Sequence, residues 1–326
     1  MKYSFLLASA LFLFACGQKS TEKKTSTEAS TETTTEATSP KDSSVSKTLV
    51  AHLEILNIET GARQEVYNST THFEAPNWTS DGKYLVFNSL GKLYKIAVEK
   101  GSQPIEINSD FATDCNNDHL LSPDGKQIAI SHHIKENHDS KIYVLPFEGG
   151  TPQLVTPKGP SYLHGWSPDG KRLAYCADRD GDYNVFTIGV NGGEEIQLTD
   201  SKGLDDGPEY SPDGKYIYFN SVRTGTMQIW RMKPDGSEET QITFDDKNDW
   251  FAHPSPDNTK LVFVSYDKSV PAGSHPPNKD VEIRMLKIGE KEPTTLLPLF
   301  GGQGTMNVPS WSADSKRIAF VRYEFI

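Results

Sequence analysis

The stretch from Ser211 to Asn220 reads SPDGKYIYFN and combines a tight turn with an apolar strand. Proline at the second position presets φ for a type I turn, the next aspartate can hydrogen-bond the backbone, and glycine accepts a positive φ. The residues after the turn are mostly β-branched or aromatic, which is typical of a buried strand. The stretch therefore predicts a turn that joins two antiparallel strands.

Similar turns recur along the whole chain. The six copies contain the aspartates Asp81, Asp124, Asp169, Asp213, Asp257 and Asp314. These aspartates are separated by 43, 45, 44, 44 and 57 residues. A nearly constant period of this size, with strands in every unit, is typical of a β-propeller with one blade per repeat. We therefore expect an all-β fold, a six-bladed β-propeller.

The sixth repeat provides only part of a blade. Five residues follow Val321, so the outer two strands of this blade must come from elsewhere. Two strand-like segments, residues 52–58 and 63–67, precede the first copy of the turn. We expect these N-terminal strands to complete the last blade, which closes the ring and hides sheet edges. The predicted propeller covers residues 49–326.

The N-terminal region has a different character. Residues 1–15 have a lysine at position 2, followed by an apolar stretch of about ten residues, which is too short to span a bilayer. The motif Leu13-Phe-Ala-Cys16 resembles the bacterial lipobox, and this resemblance implies a signal peptide over residues 1–15 and lipidation of Cys16. Residues 16–48 are rich in Ser, Thr, Glu and Lys, so we expect a disordered tether after the lipidated cysteine.

The predicted anchor and the composition limit the location and the partners. Gly17 follows the cysteine, and by resemblance to lipoprotein sorting it implies the periplasmic side of the outer membrane in a bacterial cell envelope. The formal net charge is −11 and the basic residues are dispersed, so nucleic acid is not expected as a partner. Cys115 and Cys176 could pair as neighbours, but burial of two free thiols is the preferred interpretation.

The repeat unit resembles that of TolB-type propellers. It consists of Trp166-Ser-Pro-Asp-Gly-Lys171, a strand, the turn Asp178-Arg-Asp-Gly181, another strand, Gly192-Gly193 and a Gln-Leu-Thr sequence. The resemblance covers residues 49–326. It implies an envelope propeller that binds a protein or a small ligand, which the predicted lipid on Cys16 would anchor. Because the sequence shows no recognisable nucleophile and no complete set of metal ligands, we expect a role without catalysis or cofactor.

The unit is also similar to that of oligogalacturonate-lyase-like propellers, which hold a divalent metal with His and Gln. This second resemblance implies an alternative function, a metal-dependent lyase or hydrolase acting on acidic oligosaccharides. One divalent metal would then be the cofactor, and an oligosaccharide would be the ligand. His119 and His164 are the candidate metal ligands, because two neutral imidazoles can coordinate such an ion.

Counting back from each turn identifies the innermost strand of each blade, which lines the channel with alternate residues. Five positions before the aspartates lie Pro76, His119, His164, Pro208, Ala252 and Pro309. Seven positions before them lie Glu74, Asn117, Tyr162, Asp206, Trp250 and Asn307. We therefore expect His119 and His164 at one height on adjacent blades, with the residues of the second set nearer the mouth.

Candidate ligand-binding residues are those that face the channel or the rim opposite the turns. The complete set is Glu74, His119, Tyr162, His164, Arg179, Asp206, Arg223, Trp250, His275, Gln303 and Asn307. Aromatic rings and guanidinium groups can stack on sugars or pair with carboxylates. The alternative for the same residues is a structural role in blade packing, surface charge or a water-filled polar channel.

Overall fold

The computed structural model describes residues 47–326. The predicted signal peptide, Cys16 and nearly all of the predicted tether lie outside the described residues. The first strands are β1 (Leu49–Asn57), β2 (Arg63–Ser69), β3 (Glu74–Trp78), β4 (Tyr84–Ser89), β5 (Lys92–Ala97), β6 (Ile105–Ile107), β7 (Cys115–Leu121), β8 (Gln127–His133), β9 (Ser140–Pro146) and β10 (Gln153–Leu154). The next strands are β11 (Ser161–Trp166), β12 (Arg172–Asp178), β13 (Tyr183–Gly189), β14 (Ile196–Gln197), β15 (Asp205–Tyr210), β16 (Ile217–Ser221), β17 (Gln228–Met232) and β18 (Thr240–Gln241). The last are β19 (Asn248–Pro254), β20 (Lys260–Tyr266), β21 (Lys279–Lys287), β22 (Thr294–Gly301) and β23 (Arg317–Phe325), with a 3₁₀ turn at Gln303–Thr305.

The described strands form six antiparallel sheets. Five sheets contain four strands each, in chain order: β3 to β6, β7 to β10, β11 to β14, β15 to β18 and β19 to β22. The sixth has the order β2-β1-β23. The prediction of an all-β, six-bladed propeller is thereby confirmed.

The repeated turns have the geometry expected from their residues. In the fourth blade, Ser211 Oγ donates to Asp213 Oδ1 at 2.7 Å and accepts the backbone N–H of Tyr216 at 3.0 Å. Gly214 takes φ of 69°, in the left-handed region that glycine tolerates best. In the first copy, Thr79 replaces the serine and donates to Asp81 at 2.7 Å. The turn is thus held by the aspartate two positions after the hydroxyl.

The sixth sheet joins strands from the two ends of the propeller. Strand β1 pairs with β23 over nine residues, from Leu49 opposite Phe325 to Asn57 opposite Arg317. The buried carboxylate of Glu54 accepts one hydrogen bond from Arg63 at 2.7 Å and one from Arg322 at 2.6 Å. A single bridge between Trp311 and Ile318 lies at the inner position of this blade.

The core lies between neighbouring sheets. One cluster joins Ile128 and Ile130 of the second blade to Val86 and Leu93 of the first. Equivalent clusters join each later blade to the one before it. A sixth cluster packs Leu53 and Val321 of the last sheet against Leu85 of the first. Every sheet is therefore covered on both faces by its neighbours.

The two cysteines of the propeller are separate in the structure. Cys115 and Cys176 are both free and buried. Burial raises the pKa of the Cys115 thiol to about 12, so this thiol stays protonated at neutral pH. The preferred interpretation of two buried free thiols agrees with these positions.

Within residues 47–326, no helix combines the length and the hydropathy of a membrane span.

The packing of the sixth sheet can be tested with Leu53→Ala. Leu53 is completely buried between β2, β23 and the first blade, so we expect the free energy of unfolding to fall by about 2 to 5 kcal/mol. Urea denaturation measures this change. Ile105→Ala is the control, since Ile105 is exposed on the outer strand β6, and it should change stability by less than about 0.5 kcal/mol. Equal stabilities of the two variants would contradict the packing described here.

Candidate ligand-binding site

A cavity of about 620 Å³ opens at the mouth of the central channel. Its walls come from the first residues of the inner strands β7, β11 and β15, together with Phe251 of β19 and Asn307 before the sixth blade. The repeated turns follow the other ends of these strands. The cavity therefore lies on the face opposite the turns, where the sequence repeats least.

Six of the predicted site residues line this cavity. They are Tyr162, His164, Asp206, His275, Gln303 and Asn307. They come from the third to the fifth blades and from the segment that leads into the sixth. Sequence counting placed four of them on inner strands or their continuation. His275 lies between β20 and β21 and Gln303 follows β22, both within the 57-residue interval from Asp257 to Asp314.

His119 does not line the cavity. Its side chain is fully buried, and its Nε2 lies 3.4 Å from the carbonyl oxygen of Val86 in the first blade. Burial lowers the pKa of His119 to about 4, so the imidazole is neutral at pH 7. The expectation that His119 and His164 both face the channel is therefore not met, since Asp118, the residue before His119, lines the cavity instead.

Arg179 and Arg223 are held by carboxylates of the protein. Arg179 forms a 2.6 Å ion pair with Glu195 and also donates to the carbonyl oxygen of Pro160. Arg223 pairs with Asp205 at 2.8 Å and with Glu239. Both guanidinium groups thus bind loops and strands of their own blades, which corresponds to the structural alternative, and neither lines the cavity.

Trp250 and Glu74 also lie apart from the cavity lining. Trp250 is fully buried in the cluster between the fifth and sixth blades. The carboxylate of Glu74 lies 3.5 Å from the imidazole of His72 and accepts a 3.5 Å hydrogen bond from Asn117. Trp250 was expected in the channel, but the register of β19 shifts between Trp250 and His253, so the next residue, Phe251, takes that place.

Nine lining residues were outside the predicted set. They are Asn116, Asn117, Asp118, His133, Cys176, Tyr183, Leu204, Phe251 and Gly273. Asn117 appeared in the strand count but was not selected. The polar run Asn116-Asn-Asp-His119 is unusual for an inner strand with both faces covered, and this signal could have identified Asp118. Strict alternation placed Asp118 and Phe251 on the wrong face, since it ignores bulges.

Two carboxylates and one histidine form the polar centre of the cavity. His164 Nε2 lies 3.1 Å from Asp206 Oδ1, which also accepts the backbone N–H of Gly207 at 2.7 Å. Asp118 accepts hydrogen bonds from Asn307 and Asn116, both at 2.7 Å. These five side chains and one backbone group form two networks, of which one joins blades three and four and the other joins blade two to the segment before blade six.

The charges of this centre depend on one another. Burial alone lowers the pKa of His164, but the carboxylates of Asp206 and Asp118 outweigh burial and raise that pKa above its ordinary value. Burial raises the pKa of Asp206, but the His164 imidazolium lowers it more. The pKa of Asp118 is raised, chiefly by burial, because His164 only partly offsets burial and the charge of Asp206. His164 and Asp206 thus form an ion pair beside a less stabilised carboxylate.

Phe251 forms an aromatic wall beside this pair. Its ring stacks on the His164 imidazole with 5.6 Å between centroids and 19° between planes. Its φ of 56° is in the left-handed region, which costs a bulky residue roughly 1 to 3 kcal/mol. The backbone N–H of Phe251 donates to Asn220 at 3.1 Å, which fixes this conformation. Strain of this kind is typical of positions that orient a functional side chain.

A second histidine–carboxylate pair does not belong to the cavity lining. His253 Nδ1 lies 2.6 Å from Glu209 of the preceding blade, and its Nε2 lies 3.0 Å from the carbonyl oxygen of Met306. Both side chains are buried. Burial raises the pKa of Glu209, although His253 partly offsets this effect. His253 thus faces the adjacent blade and not the channel.

The predicted metal ligands His119 and His164 can be compared with the side chains that surround them. Among residues 47–326, no group of three or more His, Cys, Asp or Glu side chains is arranged to hold a metal ion. His119 and His164 face different surroundings, since one contacts the first blade and the other pairs with Asp206. The two proposed histidine ligands therefore do not form a shared site.

These features define a class of protein, a six-bladed β-propeller with a polar and aromatic cavity at the mouth of its channel. The family model described as the TolB beta propeller domain (PD40) matches residues 120–291. An uncharacterized protein of Agrobacterium fabrum is 48% identical over 271 residues, which cover 83% of this chain and 92% of that protein. The chain belongs to the TolB beta propeller domain family, as its repeats predicted.

Two further similarities concern proteins described as TolB. A solved structure from Agrobacterium tumefaciens, described provisionally as TolB, has a TM-score of 0.81 and 48% identity and covers 85% of this chain and 99% of that one. The Tol-Pal system protein TolB of Francisella tularensis is 27% identical over 118 residues. That match spans 36% of this chain and only 27% of the Francisella protein. The second similarity therefore concerns part of the propeller.

The ion pair in the cavity predicts a specific titration. The raised pKa of His164 means that its charge contributes stability fully below pH 6.5, and this contribution is lost as pH rises through the folded-state pKa. In Asp206→Asn, burial should dominate and the pKa of His164 should fall. NMR titration of the imidazole protons measures both values, with His164→Gln used for assignment. An unchanged midpoint in Asp206→Asn would contradict the ion pair.

Proposed function

We propose that this protein is a lipid-anchored propeller of the bacterial cell envelope that binds a small ligand, or a short segment of a partner protein, in the cavity. The single observation that carries the proposal is the cavity itself, with its buried polar centre and aromatic walls. Its volume of about 620 Å³ lies within the range usual for small-molecule sites. Buried polar groups and strained positions at its wall are features of such sites.

The envelope location is supported by two independent features. Leu13-Phe-Ala-Cys16 has the form of a lipoprotein processing site, and some relatives are described as Tol-Pal system proteins TolB. Lipidation of Cys16 would anchor the propeller without a membrane-spanning helix, since each buried methylene contributes about 0.8 kcal/mol. Following the sequence prediction, we place the propeller on the periplasmic side of the outer membrane.

The alternative function, a metal-dependent lyase or hydrolase for acidic oligosaccharides, receives less support. Of its two predicted metal ligands, His119 contacts the first blade and His164 pairs with Asp206. The candidate arginines Arg179 and Arg223 pair with protein carboxylates. In addition, the cavity presents Asp118 and Asp206, which would repel an acidic sugar. Binding of a ligand in the cavity without cleavage is therefore the function that we propose.

Blocking the cavity should abolish ligand binding. Gly273 lines the cavity, a Cβ added there meets no atom within 4 Å, and the backbone is outside the left-handed region. In Gly273→Trp we therefore expect an indole ring to fill the opening without strain in the fold. The measurement is equilibrium dialysis against a low-molecular-weight extract of the cell envelope, followed by mass spectrometry of the retained compounds.

The control for this experiment is Ile105→Trp, which adds the same ring on the exposed outer strand β6. Wild type and the control should retain the same compounds, and Gly273→Trp should lose them. If wild type retains nothing, or if the blocked variant retains the same compounds, the cavity is not the binding site and the proposal fails.

Anchoring is tested with Cys16→Ser. We expect the wild-type protein to remain in the membrane fraction after a high-salt wash and to be released only by detergent. The serine variant cannot be lipidated and should appear in the soluble envelope fraction. Cys115→Ser is the control, because this buried thiol lies in the propeller. Salt-resistant membrane association of Cys16→Ser would disprove the lipid anchor.

A further inference from the structure

The charges of the cavity are not balanced. Asp118 and Asp206 contribute two carboxylates, whereas the described lining residues include no lysine and no arginine. His164 lies 3.1 Å from Asp206 and serves as its cationic partner. Asp118 receives hydrogen bonds only from the neutral amides of Asn116 and Asn307 among the described groups. One carboxylate therefore lacks a dedicated cation of the protein.

This imbalance has an energetic cost. Asp118 is only 3% exposed, and a buried charge is unfavourable unless a counter-charge and hydrogen bonds compensate it. The raised pKa of Asp118 has the same origin, because burial and the nearby charge of Asp206 both oppose its ionisation. His275 cannot replace a cation here, since burial lowers the pKa of that imidazole. A positively charged ligand would supply the missing charge.

The other walls suit a ligand with N–H donors. Asn307 is 2% exposed, it lines the cavity, and its Oδ1 has no hydrogen-bond partner among the described residues. This atom can accept a hydrogen bond that the protein does not provide. Tyr162, Tyr183 and Phe251 add aromatic surfaces to the same cavity. Aromatic faces attract ammonium groups, because the ring quadrupole is negative above the plane.

We propose that the cavity binds a small organic amine, with its ammonium group paired to Asp118 and its body against the aromatic wall formed by Tyr162 and Phe251. The inference rests on the proposed function and adds the chemical class of the ligand. A carboxylate-bearing ligand is excluded by the same charges, since it would approach two carboxylates with no lysine or arginine among the lining residues described. A neutral ligand would fit but would leave Asp118 uncompensated.

The test compares ligands of equal shape and different charge. Isothermal titration calorimetry of the full-length protein in detergent at pH 8 uses two series: tyramine, tyrosol and 4-hydroxyphenylacetate, and cyclohexylamine, cyclohexanol and cyclohexanecarboxylate. In at least one series we expect the amine to bind about tenfold or more tightly than the neutral analogue. The acidic analogue should bind more weakly than both.

Asp118→Asn should remove this preference, so that amine and neutral analogue bind equally. Because the substitution also changes two buried hydrogen bonds, a second pair of variants leaves Asp118 intact. Gly273→Lys places a cation at the cavity opening and should weaken the amine about tenfold relative to Gly273→Gln, while the neutral analogue is unaffected. The comparison of these two variants tests whether the bound ligand is a cation even if Asp118→Asn does not fold.

The possible outcomes separate the two proposals. If neither amine binds better than its neutral analogue, the assignment of an amine ligand is wrong. If a neutral or acidic compound binds and Gly273→Trp blocks it, the cavity is still a ligand site and only its chemical class is overturned. An amine preference that persists in Asp118→Asn, and is equal in Gly273→Lys and Gly273→Gln, would likewise overturn the role of Asp118.

Discussion

Burial of each sheet between its two neighbours is the interaction on which the rest of the molecule depends. Six apolar clusters each combine residues of two consecutive blades, and the cluster of Leu53, Val321 and Leu85 joins the last blade to the first. Because no blade covers its own faces, each one needs the full circle to remove its apolar surface from water. The pairing of β1 with β23 links this circle through strands from both ends of the propeller.

The candidate site exists because the inner strands depart from this regular packing. A shift of register in β7 and β19 moves one residue per strand from the blade interface to the channel, so Asp118 and Phe251 reach the cavity. In β15 the same position is Gly207, where an added Cβ would come within 3.1 Å of the Phe251 ring. The small residue on one blade thus leaves room for the aromatic wall on the next. Bulges next to functional sites commonly redirect side chains in this manner.

Most of the fold was predictable from the sequence, because the repeated turn fixes each hairpin by local chemistry and its period fixes the number of blades. The candidate site was predicted only in part. His164, Asp206 and Asn307 follow from counting along an ideal strand, whereas the place of Trp250 in the core does not. The strands of His164, Asp206 and Trp250 all contain a register shift. Which side chain then faces the channel depends on contacts with the neighbouring blade, such as the bond from Phe251 to Asn220. Such contacts cannot be read from the alternation of one strand.

Membership of the family therefore accounts for the propeller fold but does not identify the ligand of the cavity. The matched residues 120–291 contain four of the six repeated turns, which every blade needs for the same structural reason. The cavity lies at the opposite strand ends, where one blade has Asp118, another has Tyr162 and His164, and a third has Asp206 and Gly207. Because neighbouring repeats use different residues at equivalent positions, the turns do not determine what the cavity binds. The charge and shape of the cavity walls determine the ligand, and in this chain they combine an unbalanced carboxylate with aromatic rings.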